Sequence, residues 1–389
     1  MSVKQLLETE FPWDALSKYK KIATEFCAQA GGKVVDLSVG SPIDQVDQTI
    51  QQALSSAAGK PGYPLTIGNI ELRSAIVEWL EKWRSVEGVG VDNIIPTLGS
   101  KEAVGLLPLL LNLGPGDVVV RPKFAYPTYD IGAKLAGCEV LATDDVSDWR
   151  GNPRVKAVWI NYPNNPTGAV ASKEELKEIV EAAREVGAVV LSDECYALLN
   201  WEGESAGDGT IQEATQATQA SKSSKSSPCI LEDEICSSRF DDIIMLYSFS
   251  KQLNLAGYRS AFIAGDAKLV EKVTHLRKHL GLIVPEPVQA ATVAAAKDVS
   301  ATKKQYQIYR SRRERLKHFL LRADYEIDAS QGGLYLWVKS KHGDCWRDVE
   351  DFARCGVVVT PGTFYGCTEH FRVSIIASED DLEQLVELL

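Results

Sequence analysis

Short apolar blocks alternate with helix-period segments through the middle of the chain. The blocks are NIIPTL (93–98), DVVVRP (117–122), AVWINY (157–162), AVVLSDE (188–194), IIMLYS (243–248) and SAFIAG (260–265). Each is short enough for a strand and apolar on both alternating faces, as a strand covered on two sides must be. Amphipathic stretches at 69–86, 101–112, 127–136, 172–186 and 266–281 predict the intervening helices. This alternation predicts an α/β lobe with a largely parallel sheet between helices. Ligands in such sheets collect outside the carboxyl ends of the strands.

Beyond residue 281 the pattern changes. A long helix over about 286–322 is predicted, followed by the strand-like runs YEIDAS, GLYLWVKS, GVVVTPG and FRVSII. These read as a smaller α+β lobe. The polar stretch 203–229, rich in Ser, Thr, Gln and Ala, interrupts the alternation. It lacks the apolar area to offset its ordering entropy and is expected to be a mobile surface insertion.

Composition then narrows the function. The chain has 389 residues, 45% of them hydrophobic and 24% charged, with a formal charge of −11. That length predicts two lobes, and the acidic balance argues against binding a phosphate backbone or nucleic acid. With no leader-like segment and no apolar run of roughly 18 residues, a cytoplasmic protein with no membrane partner is expected. The eight cysteines lack metal-site spacing and read as reduced thiols. His275 and His279 have the i, i+4 spacing of metal ligands but no third partner, so no metal is expected.

Six stations carry candidate chemistry. Gly99-Ser100-Lys101 joins a strand to a helix start, either a phosphate seat or an ordinary N-cap. Tyr126 follows a strand, where a flat ring can stack on a flat ligand or simply pack. In NYPNNPTG, Asn165 either faces a site or initiates a turn. Asp193 ends an apolar strand, where a carboxylate needs a cation or a backbone cap. Tyr196 can share its ligand only if the chain bends near Glu194 and Cys195. Ser248, Ser250, Lys251 and Arg259, between two apolar blocks, offer hydroxyl, amine and guanidinium, the equipment for a phosphate and a carbonyl. Arg372, in HFRVSII, suits a carboxylate or an edge strand. A ligand that satisfies all six has a phosphate, an aromatic ring with a nitrogen, and an aldehyde that a lysine can capture. Pyridoxal 5′-phosphate has each of these.

The motifs GYPLTIGNIELR, GSKEA, NNPTG, SDECY, SFSKQLNLAGYR and FRVS occur in an order that resembles the class I/II aminotransferases among the fold-type-I pyridoxal-phosphate enzymes. The resemblance runs from about Phe11 to Leu389. It implies a large cofactor-binding domain (46–281) and a small domain built from 1–45 and 282–389. It also implies that Lys251 holds the cofactor's aldehyde, that Asp193 faces the pyridine nitrogen, and that Tyr196 and Asn165 donate to the ring oxygen. Tyr126 would stack on the ring. Ser100, Lys101, Ser248, Ser250 and Arg259 would cup the phosphate, and Gly40 and Arg372 would take the substrate carboxylate. Tyr63 would reach the phosphate of a neighbouring subunit, implying a homodimer with shared sites.

Within the family, EFPWDAL, VVDLSVGSPID, RKHLGLIVPEPVQAA and GGLYLWV resemble the actinobacterial N-succinyldiaminopimelate aminotransferases of lysine biosynthesis. Transfer of an amino group from N-succinyl-LL-2,6-diaminopimelate to 2-oxoglutarate is the expected reaction. The same catalytic set also serves aminotransferases of other amino-acid specificity and C–S β-lyases. Asp193 and Lys251 stand further apart than is usual for the family, and GLIVPEPVQ offers no arginine for a distal carboxylate. A ligand-sensing regulator domain is disfavoured, because no basic helix-turn-helix precedes the fold.

Overall fold

The computed structural model describes residues 11–201 and 226–387. Its strands, in chain order, begin with β1 (Val35–Asp36). The large lobe contributes β2 (Ile94–Leu98), β3 (Val118–Arg121), β4 (Glu139–Ala142), β5 (Val155–Asn161), β6 (Val189–Asp193), β7 (Ile243–Ser248) and β8 (Ser260–Gly265). The rest are β9 (Ile327–Asp328), β10 (Tyr335–Lys339), β11 (Val357–Val358), β12 (Thr360–Pro361) and β13 (His370–Ser374).

The large sheet has the order β2-β8-β7-β6-β5-β3-β4. Only β8 runs against its neighbours, antiparallel to both β2 and β7. The link from β7 to β8 is short and holds only a one-turn helix, Phe249–Gln252, and a 3-10 turn. A parallel return would need a longer crossover. This reversal matters for the site. The start of β8 lies at the same end of the sheet as the finishes of β5, β6 and β7.

Alternation along each strand builds two cores. Ile243, Met245 and Tyr247 of β7 join Val158, Ile160 and Val190 on one face. Ile244 and Leu246 join Ala157, Trp159 and Leu191 on the other. Both faces are covered, so the sequence runs read as uninterrupted apolar blocks. Trp79, Tyr247, Phe249 and Phe262 form an aromatic stack behind the site, with centroids 4.3 to 6.1 Å apart.

A third core gathers Leu16, Val35 and Leu37 with Leu316, Leu334, Leu336, Val357 and Phe371. The β1–β11 pairing ties the first part of the chain to the last. The four-stranded sheet here has the order β12-β13-β10-β9, all antiparallel.

Three expectations need correction. The single helix over 286–322 is two helices, Glu286–Lys297 and Val299–Arg322. Asp298 leaves helical geometry between them, and its carboxylate accepts from Ala301 N–H, capping the second. Ala291, Ala295 and Ala296 of the first helix pack with the large-sheet core, on the far side of a boundary drawn at 281. Of the polar stretch 203–229, residues 203–225 lie outside the described residues. Its last part is not a surface segment, since Ser227 and Cys229 are buried. The sequence reading also missed β4 and the helix Gln48–Ala57, which Asp47 caps.

Candidate active site

Twelve of the thirteen candidate residues line a single cavity of about 430 Å³ at the carboxyl end of the large sheet. They are Gly40, Ser100, Lys101, Tyr126, Asn165, Asp193, Tyr196, Ser248, Ser250, Lys251, Arg259 and Arg372. Tyr63 is the exception. It is 96% exposed and does not line the cavity of its own chain.

Asp193 is the last residue of β6 and is buried. Its carboxylate accepts from the Tyr129 hydroxyl at 2.9 Å and from the Cys195 N–H at 3.2 Å. Burial pushes its pKa above the ordinary aspartate range, and the two neutral donors only partly offset that. Among the described residues no cation pairs with it within 4 Å. The carboxylate therefore fits a ligand that brings a protonated nitrogen.

The chain bends directly after β6. Ala197 N–H bonds to Glu194 and Leu199 N–H to Tyr196, so the backbone turns twice and Tyr196 comes to the cavity beside Asp193. Asn161, the register partner of Asp193 on β5, fixes this corner. Its amide donates to Asp193 O at 2.8 Å, while its own oxygen accepts from Asn165 N–H at 2.8 Å.

The anion station is assembled from two strand ends. Ser100 and Lys101 open the helix Ser100–Leu110, whose first N–H groups have no partner within the helix. Ser248 caps the short helix that follows β7 and donates to Ser250 Oγ at 2.8 Å. Arg259 precedes β8 and bonds only backbone oxygens, Ala256 and Leu98, among the described residues. Gly99 has φ +83°, and a Cβ there would stand 2.1 Å from the Arg259 guanidinium. Only glycine leaves room for that cation. Three hydroxyls and two cations with no carboxylate partner among the described residues suit a phosphate.

Lys251 Nζ donates to Gly40 O at 2.6 Å and has no carboxylate partner among the described residues. Arg372, 2% exposed, donates to Asn165 Oδ1 at 2.8 Å and to Ser38 O at 2.7 Å. Its guanidinium carbon lies 3.8 Å from the centre of the Tyr335 ring. A buried guanidinium with no counter-ion among the described residues is suited to an incoming carboxylate.

Sequence reasoning missed Tyr129, Asn161, Cys195, Tyr335 and Trp13, all of which line or shape the cavity. Tyr129 was recoverable, since it lies one helical turn beyond Tyr126 in FAYPTYD. Tyr335 was not, because its place follows from the pairing of β10 with β13.

A mostly parallel sheet with such a cavity at its carboxyl edge belongs to an α/β fold whose candidate site lies where such sheets bind ligands. A model of the aminotransferase class I and II family matches residues 32–389. The 4-dedimethylamino-4-oxo-anhydrotetracycline transaminase OxyQ of Streptomyces rimosus is 38% identical, over 95% of this chain and 96% of its own. An LL-diaminopimelate aminotransferase of Dehalococcoides mccartyi is 30% identical, over 99% and 97%. A crystal structure of an aminotransferase from Neisseria meningitidis superposes with a TM-score of 0.84, at 26% identity over 100% of this chain and 99% of its own. The chain belongs to the class I and II aminotransferases, which work with pyridoxal 5′-phosphate. The residues present fit that group: a buried carboxylate with no cation paired to it among the described residues, a hydroxyl and guanidinium cup, and a lysine amine in the same cavity.

Among the described residues no helix is long and apolar enough to cross a membrane. No group of three His, Cys, Asp or Glu among them could hold a metal ion.

Proposed function

We propose that this chain moves an amino group between an α-amino acid and a 2-oxo acid in a ping-pong cycle, with Lys251, Asp193, Tyr196 and Asn165 as its catalytic residues. The convergence of twelve widely separated residues on one cavity carries this reading. When bound, pyridoxal phosphate supplies a ring that takes up the electrons released at the substrate α-carbon.

Lys251 would hold the cofactor's aldehyde, and once released its amine moves a proton at the substrate α-carbon. Asp193, unpaired with any cation among the described residues, would hold a proton at the ring nitrogen. Tyr196 and Asn165 would donate at the ring oxygen, and Tyr126 would stack on the ring. Ser100, Lys101, Ser248, Ser250 and Arg259 would take the phosphate. Arg372 grips the α-carboxylate with two parallel N–H groups, which fixes the orientation of the α-carbon. Gly40 would stand at the substrate carboxylate and gives its carbonyl to Lys251. Tyr63, exposed on one subunit, would reach the phosphate in the other subunit of a homodimer.

For the amino donor we infer a diaminopimelate, with the N-succinylated LL form preferred. The similarity to an LL-diaminopimelate aminotransferase supports the diaminopimelate class, and the stretches EFPWDAL and GGLYLWV support the succinylated form. Phe11 and Trp13 also line the cavity beside Lys20, whose ammonium pairs with Asp36 at 2.8 Å, so apolar walls and a cation stand there for a long donor.

The test uses purified enzyme with pyridoxal phosphate and a panel of succinyl-, acetyl- and free LL-diaminopimelate, aspartate and cystathionine, each with 2-oxoglutarate. Glutamate formed fastest from the succinylated donor is expected. Keto-acid and ammonia release without an acceptor would replace the reading with a lyase. The variant Lys251→Ala should lose turnover while retaining cofactor at the phosphate station; wild-type turnover in that variant would overturn the assignment.

A further inference from the structure

We propose that Tyr335 is a positioning residue that holds the carboxylate-binding Arg372 and the ring-oxygen donor Tyr196 in one arrangement. The proposal rests on the roles given to those two residues above.

Sheet register places Tyr335 next to Arg372. On β10 and β13, Trp337 is opposite Arg372 and Tyr335 is opposite Ser374. Tyr335 is two residues from Trp337, so it shares a face with Arg372 at the diagonal position, within reach of a large ring. The observed contact is a stack, with the guanidinium carbon 3.8 Å from the ring centre. A planar cation held flat on an aromatic face keeps its N–H edges free to fork. Here two of those groups are spent on Asn165 and Ser38, and Nε has no partner among the described residues.

The other end of Tyr335 meets the second station. Its hydroxyl is 3.3 Å from the Tyr196 hydroxyl, with the rings edge to face at 5.8 Å. A Cβ on Gly40 would stand 2.3 Å from the Tyr335 hydroxyl and 2.8 Å from its ring. Gly40 has no side chain because Tyr335 occupies that space. Lys251 bonds to the carbonyl of this same glycine. The charged and titratable groups facing Tyr335 are Arg372, Lys251 and Tyr196, with Tyr309 and Tyr365 behind. Burial works to raise the Tyr335 pKa, but the two cations outweigh it and hold that hydroxyl below the usual tyrosine range. Tyr196 is pushed well up by burial. Either hydroxyl can donate across the 3.3 Å contact, so losing one changes the hydrogen bonding of the other.

Three variants test this. Tyr335→Phe keeps the stacked ring and removes the hydroxyl. It should leave KM for the amino acid within about twofold, lower kcat about tenfold, the scale of one lost hydrogen bond, and shift the pH midpoint of the bound-cofactor absorbance. Tyr335→Leu removes the ring as well and should add a rise in KM of about tenfold, from losing a stacked guanidinium contact. Gly40→Ala, which pushes on the hydroxyl from the other side, should reproduce the absorbance shift with Tyr335 intact. Equal falls in kcat/KM for Phe and Leu with an unmoved absorbance midpoint would overturn the proposal, whether or not the variants lose stability. A wild-type protein without pyridoxal-phosphate absorbance would instead overturn the reading of the cavity.

Discussion

At the scale of single residues, Asp193 shows how a site is held against the interests of the fold. Burial raises its pKa, so in the cofactor-free protein the folded state binds its proton more tightly than the unfolded chain does. The consequence for stability follows from linkage. As pH rises from the ordinary value of 3.8 through the raised one, the unfolded chain releases the proton first and folding loses free energy. The variant Asp193→Asn carries no such charge. Its melting temperature without cofactor should exceed the parent's by a gap that opens over this window and then levels. Its turnover should fall by about 10²–10³-fold, the scale of losing one fixed partner at a reacting group. Calorimetry from pH 4 upward checks the first, and a coupled glutamate assay the second. Asp193 was legible in sequence because it closes an apolar strand block, and Lys251 because it lies in the short polar link between two such blocks. Tyr335 and Asn161 were not, because each acts across a strand pairing that no local pattern encodes.

Among the elements, the strand blocks were legible almost to the residue, and β7 and β8 match their predicted bounds. Both faces of those strands are covered, so their composition carries the full signal. The break at Asp298 was hidden because helical periodicity continues through it, and only the cap betrays it. The corner after β6 was legible only as a condition on Tyr196. Besides Asn161, a buried ion pair between Arg84, at the end of the helix Ile70–Arg84, and Glu194 holds it. Arg84 also donates to Ser227 O at 2.7 Å, and Glu194 accepts from Ile230 N–H at 2.9 Å and the Ser192 hydroxyl at 2.9 Å. Removing one partner leaves a buried charge alone, so Arg84→Met should cost about 3–5 kcal/mol of stability. The pair Arg84→Met with Glu194→Gln should recover much of that loss. Urea unfolding of the two proteins checks both.

On the whole-molecule scale, the cavity lies where the large sheet's carboxyl edge meets the lobe built on β10 and β13, and both contribute to it. Tyr63 alone among the candidates stands away from it, fully in solvent with Leu65 also exposed nearby in sequence. If Tyr63 serves a neighbouring subunit, two defective chains can repair each other. Lys251→Ala chains supply Tyr63 to a partner, and Tyr63→Ala chains supply Lys251. Equal mixing and random re-pairing of a two-fold dimer should restore about a quarter of the sites. Activity no higher than the sum of the separate variants would remove Tyr63 from the site.

The Arg84–Glu194 pair is one of several ties that hold the corner from outside the cavity. The backbone leaves the corner at Trp201, whose indole is bonded to Gly333, and comes back at Ser227, whose N–H is bonded to Ala197. Departure and return are thus fastened to the scaffold separately, and the acid that sits one residue before Glu194 is moored on both sides of its turn.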